Sequence, residues 1–127
     1  SNLWLYKVYN GTDWITIDEV LYPGDTGIFG GGRDISNNEI NTIDYVTISS
    51  TGDAADFGDL TVRRDYSPAA TSNGTSDRGL FGGGYDDSNN LSNVIDYVTI
   101  SSPGDASDFG DLTGVRDFLA ATSNGLV

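Results

Sequence analysis

Residues 43–60, IDYVTISSTGDAADFGDL, return at 95–112 as IDYVTISSPGDASDFGDL. The match extends outward to Gly27–Gly74 and Gly79–Gly125, with Phe29 matching Phe81, Asp44 matching Asp96 and Asp56 matching Asp108, each at an offset of 52 residues. A period of this size, made of short β-rich runs and glycine turns, belongs to repeat architectures. Their units cannot bury an apolar face alone and must stack on neighbours. The chain therefore divides into an N-terminal β-hairpin and linker (1–26), a first repeat (27–78), and a second repeat with the start of a following strand (79–127).

Each copy carries four short strand-like runs. Gly27-Ile28-Phe29 and Gly79-Leu80-Phe81 lead into triple glycines, and Ile43–Ile48 and Ile95–Ile100 are the strongest strands. Ala55-Asp56-Phe57 and Ser107-Asp108-Phe109 are weaker strands ended by Gly-Asp. Asp65–Ser72 and Asp117–Ser123 close each copy with small residues. Ile, Tyr, Val and Thr on both faces of the strongest strand fit a sheet covered on both sides. Four strands per copy is the count of a propeller blade. The expected fold is thus all-β, with about two four-stranded blades in a larger or oligomeric propeller. Residues 3–17 add an aromatic and β-branched hairpin, with a tight turn expected at Asn10-Gly11.

Composition narrows the function. The 127 residues contain no Cys, Met or His, which removes disulfides, thiolate chemistry and imidazole bases. Most zinc sites go with them. A formal charge of −13 repels phosphate backbones and anionic lipid, arguing against nucleic-acid and membrane partners. It suits solubility or cation binding. No apolar run approaches the roughly 20 residues of a membrane-crossing helix, and no signal-peptide pattern opens the chain. Beginning at Ser1 and stopping where another glycine-rich strand is due, the chain reads as part of something longer or a processed product.

The glycine triplets at 30–32 and 82–84 supply backbone conformations that side chains forbid and let strands crowd together. This makes Gly30, Gly31, Gly82 and Gly83 structural. They do not read as a phosphate cradle, because no Lys or helix start follows. Arg64 and Arg116 are expected to tie strand ends to acidic turns through charge-assisted hydrogen bonds. Asp44 and Asp96 should pin the loop before the strongest strand. Phe57 and Phe109, with Phe29, Phe81, Tyr45 and Tyr97, are expected as core between blades. A catalytic residue is needed once per site, whereas residues restored in every copy serve the unit.

The copies differ most in the loop after the glycines, where stacking imposes least. Arg33-Asp34-Ile35-Ser36-Asn37-Asn38-Glu39-Ile40 becomes Tyr85-Asp86-Asp87-Ser88-Asn89-Asn90-Leu91-Ser92. Candidate ligand-binding residues are therefore Arg33, Asp34, Asn37, Asn38, Tyr85, Asp86, Asp87, Asn89 and Asn90. Tyr85 is placed to stack on a sugar ring, and the oxygens of Asp34, Asp86 and Asp87 suit calcium. The competing reading is a solvated loop of turn formers, since the spacing matches no EF-hand. No other cofactor is indicated. The Asn-X-Ser/Thr triplets at Asn10, Asn73 and Asn90 need no function beyond turn chemistry.

Arg64 with small residues, Gly79-Leu80-Phe81-Gly82-Gly83, a polar loop, Asp96-Tyr97-Val98 and Phe109 together resemble the kelch repeat, with Phe57 and Phe109 where that family has Trp. The wording of IDYVTISS and DFGDLT is most similar to kelch-like arrays in bacteriophage tail fibres and related structural proteins. The resemblance covers Gly27–Gly125. It implies a non-enzymatic structural or recognition module of a virion appendage, with a virion or extracellular location. Its expected partners are further blades of the same parent chain, symmetry mates and cell-surface carbohydrate. The alternative is an adhesive or building unit of a secreted bacterial surface protein or extracellular filament. Without His or Cys the common nucleophile and base constellations cannot be assembled; a glycosidase-type carboxylate pair stays open among the acids, though nothing picks one pair out, and the copper chemistry of galactose oxidase, which resembles kelch proteins in fold, does not carry over.

Overall fold

The computed structural model describes residues 6–17, 24–66, 68–73 and 76–124, and every strand pairing in it is antiparallel. Strands β1 (Tyr6–Tyr9) and β2 (Trp14–Ile17) form the N-terminal hairpin. The connection is wider than the expected two-residue turn and runs through residues 10–13. The Asn10 carboxamide oxygen accepts the N–H groups of Thr12 (2.9 Å) and Asp13 (2.7 Å), and Gly11 takes φ 97°. Asn10 thus satisfies two turn amides that a tight turn would leave to solvent. Residues 3–5 of the expected hairpin lie outside the described residues.

The first copy supplies β3 (Thr26–Gly30), β4 (Thr42–Thr47) and β5 (Ala55–Asp59), which pair in that order. The expected single strand over 65–72 is broken into β6 (Arg64–Asp65) and β7 (Ala69–Asn73). Tyr66 turns the chain there with φ 49° and Pro68 removes an N–H donor. Next come β8 (Arg78–Gly82), β9 (Tyr85–Asp86), β10 (Val94–Thr99) and β11 (Ser107–Asp111). A four-stranded sheet has the order β11-β10-β8-β7, while β6 pairs with β9. The four-stranded sheet therefore takes one strand from the first copy and three from the second. Sequence unit and sheet are offset by one strand.

The two larger sheets repeat one register. Phe29 faces Asp44 as Phe81 faces Asp96, and both sheets carry a bulge, at Ile43/Asp44 and Ile95/Asp96. Gly58 and Gly110 complete those bulges at φ 146° and 142°, inside β5 and β11 rather than ending them as expected. Ties at the far end repeat as well. Ser49 donates through both its N–H (2.8 Å) and its hydroxyl (2.5 Å) to the Asp25 carboxylate, and Ser101 does the same to Asp77.

The core lies between the sheets. Ile43, Phe57 and Leu60 from the first unit meet Phe81 and Val98 from the second, with Ile28, Tyr45 and Ala106 partly buried beside them. The approach is close enough to need glycine. A Cβ on Gly30 would lie 2.9 Å from the Phe81 ring, and one on Gly58 would lie 2.4 Å from the Gly104 carbonyl. Backbone also crosses the joint, where the Ala106 N–H donates to the Asp59 carbonyl at 2.8 Å.

Candidate functional site

The two variable loops grow from the glycine triplets, whose second and third members hold φ 71° and 114° in the first copy and 71° and 104° in the second. Each loop is a small hairpin. Ile40 N–H reaches the Gly32 carbonyl (2.9 Å), Ser92 N–H reaches the Gly84 carbonyl (2.8 Å), and bridges join Arg33 to Glu39 and Tyr85 to Leu91. Asn37 and Asn89 occupy the left-handed position at φ 68° and 60°, which explains a shared Asn in otherwise different loops.

The aspartates hold these hairpins from inside. Asp34 accepts from the Ser36 and Asn38 N–H groups (2.9 and 2.8 Å) and from the Asn38 carboxamide (3.2 Å). Asp86 accepts from the N–H groups of Ser88 (3.0 Å) and Asn90 (2.9 Å). The Asn38 backbone N–H, then the Asn38 side chain and the Ser36 N–H, hold the Asp34 carboxyl below its ordinary value against partial desolvation. A calcium ion would have to compete with these donors. Asp87 is exposed, and no group of three or more His, Cys, Asp or Glu side chains suited to a metal occurs among the described residues.

Arg33 and Tyr85, at equivalent positions, build different surroundings. The Arg33 guanidinium bonds Asn37 Oδ1 (3.0 Å), pairs with Glu39 (3.0 Å) and Asp65 (2.5 Å), and sits 5.0 Å from the Tyr66 ring centre. Tyr85 meets Tyr66 edge-on at 5.5 Å, and Tyr66 meets Phe118 at 5.4 Å. Tyr85 is half-buried, while Tyr66 and Phe118 are 42 % and 69 % exposed. The open aromatic surface beside the loops therefore belongs to Tyr66 and Phe118, which the sequence reading did not single out. Its signal was an aromatic after Arg-Asp in both copies.

The second cluster lies in the joint. Arg64 and Asp96, both fully buried, pair at 2.5 Å, and Arg64 Nη1 donates to the Val94 carbonyl at 2.8 Å. Thr61 adds its N–H (3.2 Å) and hydroxyl (2.5 Å) to the same carboxylate. Burial pushes the Arg64 guanidinium down from its ordinary value and the Asp96 carboxylate opposes that shift. Asp96 thus sits mid-strand as an acceptor for the neighbouring unit and does not pin the loop before β10, as was expected. Arg64 reaches a central strand instead of an acidic turn, because its own short strand ends against the second unit.

The remaining candidates divide by position. Phe57 and Phe81 are 3 % and 1 % exposed, whereas Phe109 and Phe29 are 50 % and 62 % exposed. Arg116 and Asp44 are exposed, as are Asn37, Asn38, Asn89 and Asn90 on the loops. Gly31 and Gly83 lie beneath carbonyls, with a Cβ on either falling 2.8 Å from the Arg64 or Arg116 oxygen. No protein-family model matches the chain, and no curated protein is significantly similar to it.

Proposed function

We propose that this chain is a run of kelch-like β-propeller blades serving as a non-enzymatic structural and recognition module of a phage virion appendage, a tail fibre or similar. The observation that carries the reading is the joint. Equivalent sheets from successive copies meet face to face, and residues restored in each copy, Phe57 with Phe81 and Arg64 with Asp96, meet across it. That is how blades stack in a propeller, where each sheet is covered by the next. The β7 strand, donated across the copy boundary, supports the same reading because it ties successive units together.

The sequence resemblance supports the appendage assignment, and the loops support recognition. Two hairpins with exposed carboxamides and hydroxyls stand beside the Tyr66 and Phe118 rings, a combination that suits uncharged sugars: hydrogen bonds to hydroxyls and stacking on a ring face. The chain carries no His or Cys for a triad-type nucleophile and base. Labelled protein incubated with a panel of bacterial cells should adsorb to some of them, compete with their isolated surface polysaccharide, and lose binding in Phe118→Ala. Failure to bind any cell or polysaccharide would remove the recognition role. Finding the parent gene away from capsid and tail genes would remove the virion role.

A further inference from the structure

We propose that the outer face of the second unit docks, head to tail, on the outer face of the first unit in a second copy of this chain, using the contacts that join the two units internally. This inference rests on the reading of the repeat as a stacking unit and not on the virion assignment.

The internal joint is a template with three features, and the outer faces carry the matching half of each. The first is charge. Inside the chain Arg64 and Thr61 of one unit converge on Asp96 of the next. Their equivalents Arg116 and Thr113 on the second unit, and Asp44 on the first, are exposed and have no ion-pair partner among the described residues. The second is shape. The Phe81 ring lies over Gly30, whereas Gly82 opens onto a shallow cavity of about 150 Å³ lined with Ile95, Leu112 and Arg116. Phe29, equivalent to Phe81, is 62 % exposed on the opposite outer face.

The third feature is backbone approach. Gly58 lies against Gly104, but Gly110 and Gly52 each have nothing within 4 Å of where a Cβ would stand. Gly110 nevertheless holds φ 142°, close to the 146° of Gly58. The sheet is thus already shaped for an approaching loop backbone, of the kind that Gly104 presents to Gly58. The outer face of the first unit carries Asp44, Phe29 and Gly52 at the positions equivalent to Asp96, Phe81 and Gly104, with Phe29 opposite Asp44 as Phe81 is opposite Asp96, so the occupant is another copy of the chain. The contact is heterologous: successive copies form a ring if the rotation closes and a filament if it does not. Two, three or four copies would give four, six or eight sheets, within the roughly four to eight at which propellers close.

The test uses the whole chain in sedimentation velocity and light scattering across a concentration series. It is run in 0.15 M salt so that repulsion between chains of charge −13 is screened. The parent should assemble to discrete multiples of the monomer. Arg116→Asp and Asp44→Arg should each raise the dissociation constant at least tenfold. Mixing the two variants, which pairs Asp with Arg in one sense and Arg116 with Asp44 in the other, or combining both changes in one chain, which reverses every pair, should bring it back to within about threefold of the parent. A parent that stays monomeric throughout overturns the proposal, as does association indifferent to either charge reversal. Thermal melts of both variants should match the parent under dilute conditions, because neither change touches the Arg64–Asp96 joint. If self-association fails while Asp96→Ala still destabilises the chain, the stacking reading survives and only the head-to-tail inference is lost.

Discussion

Ile43, Phe57, Leu60 and Arg64 in the first unit have identical counterparts in Ile95, Phe109, Leu112 and Arg116 of the second, yet the first four are buried and the second four are half-buried or exposed. The mirror case holds on the opposite faces, where Phe81 and Asp96 are covered while Phe29 and Asp44 are not. These identical residues occupy equivalent positions in the two units, whose sheets share one register, and differ in whether the other unit covers their face. Burial in this molecule is therefore a property of the joint, and each position in the joint has an internal control one repeat away.

Under dilute conditions, Asp96→Ala should give the largest contrast with its control. It strands a fully buried guanidinium and two Thr61 donors, a loss of about 4 kcal/mol for a broken buried pair. Asp44→Ala should stay within about 0.5 kcal/mol. Urea midpoints measure both, and equal costs would break the comparison. Phe81→Ala comes next, at about 3 kcal/mol for emptying a core aromatic site, against a near-neutral Phe29→Ala. A smaller difference separates two glycines with nearly the same backbone. Gly58→Ala and Gly110→Ala share a strain of roughly 1–3 kcal/mol, and only Gly58→Ala also meets the Gly104 backbone. The excess, about 1–3 kcal/mol for overpacking, is read from the difference between their melting curves.

The smallest effect belongs to the loops, outside the joint. The Asp34 carboxyl in the folded chain titrates below its ordinary value. Its hydrogen bonds are therefore fully present above the usual carboxylate range and are lost as the pH falls through the depressed folded value. Carboxyl-carbon NMR should place its midpoint below that of an aspartate in a short peptide. The Asn38 amide of the parent should show a titration step there that Asp34→Asn abolishes. A midpoint at or above the peptide value would show that the loop does not depend on this carboxylate.

The period and the strand positions were legible because glycine turns and β-branched runs are local signals that occur twice. The break at Tyr66 was not, since no glycine marks that left-handed residue. The role of Asp96 was hidden for another reason. Its partners stand 32 and 35 residues away in the other copy, and only packing brings them together. On the loops, the turn role of the Asn and Asp residues followed from their chemistry. The edge-on contact of Tyr85 with Tyr66 depends on where β6 and β9 meet, a pairing of two residues each that leaves almost no trace in sequence.

The five letters of β7, AATSN at residues 69–73, recur unchanged at residues 120–124, and the Ser123 hydroxyl donates to the Ser72 carbonyl at 2.6 Å. A copy placed after the second would thus meet the same five-residue sequence that the second copy takes as its edge strand from the first. If whole copies were gained or lost through unequal recombination after the first unit, whose own sheet has three strands, each later sheet would keep the strand donated to it, because the overlap falls at the copy boundary.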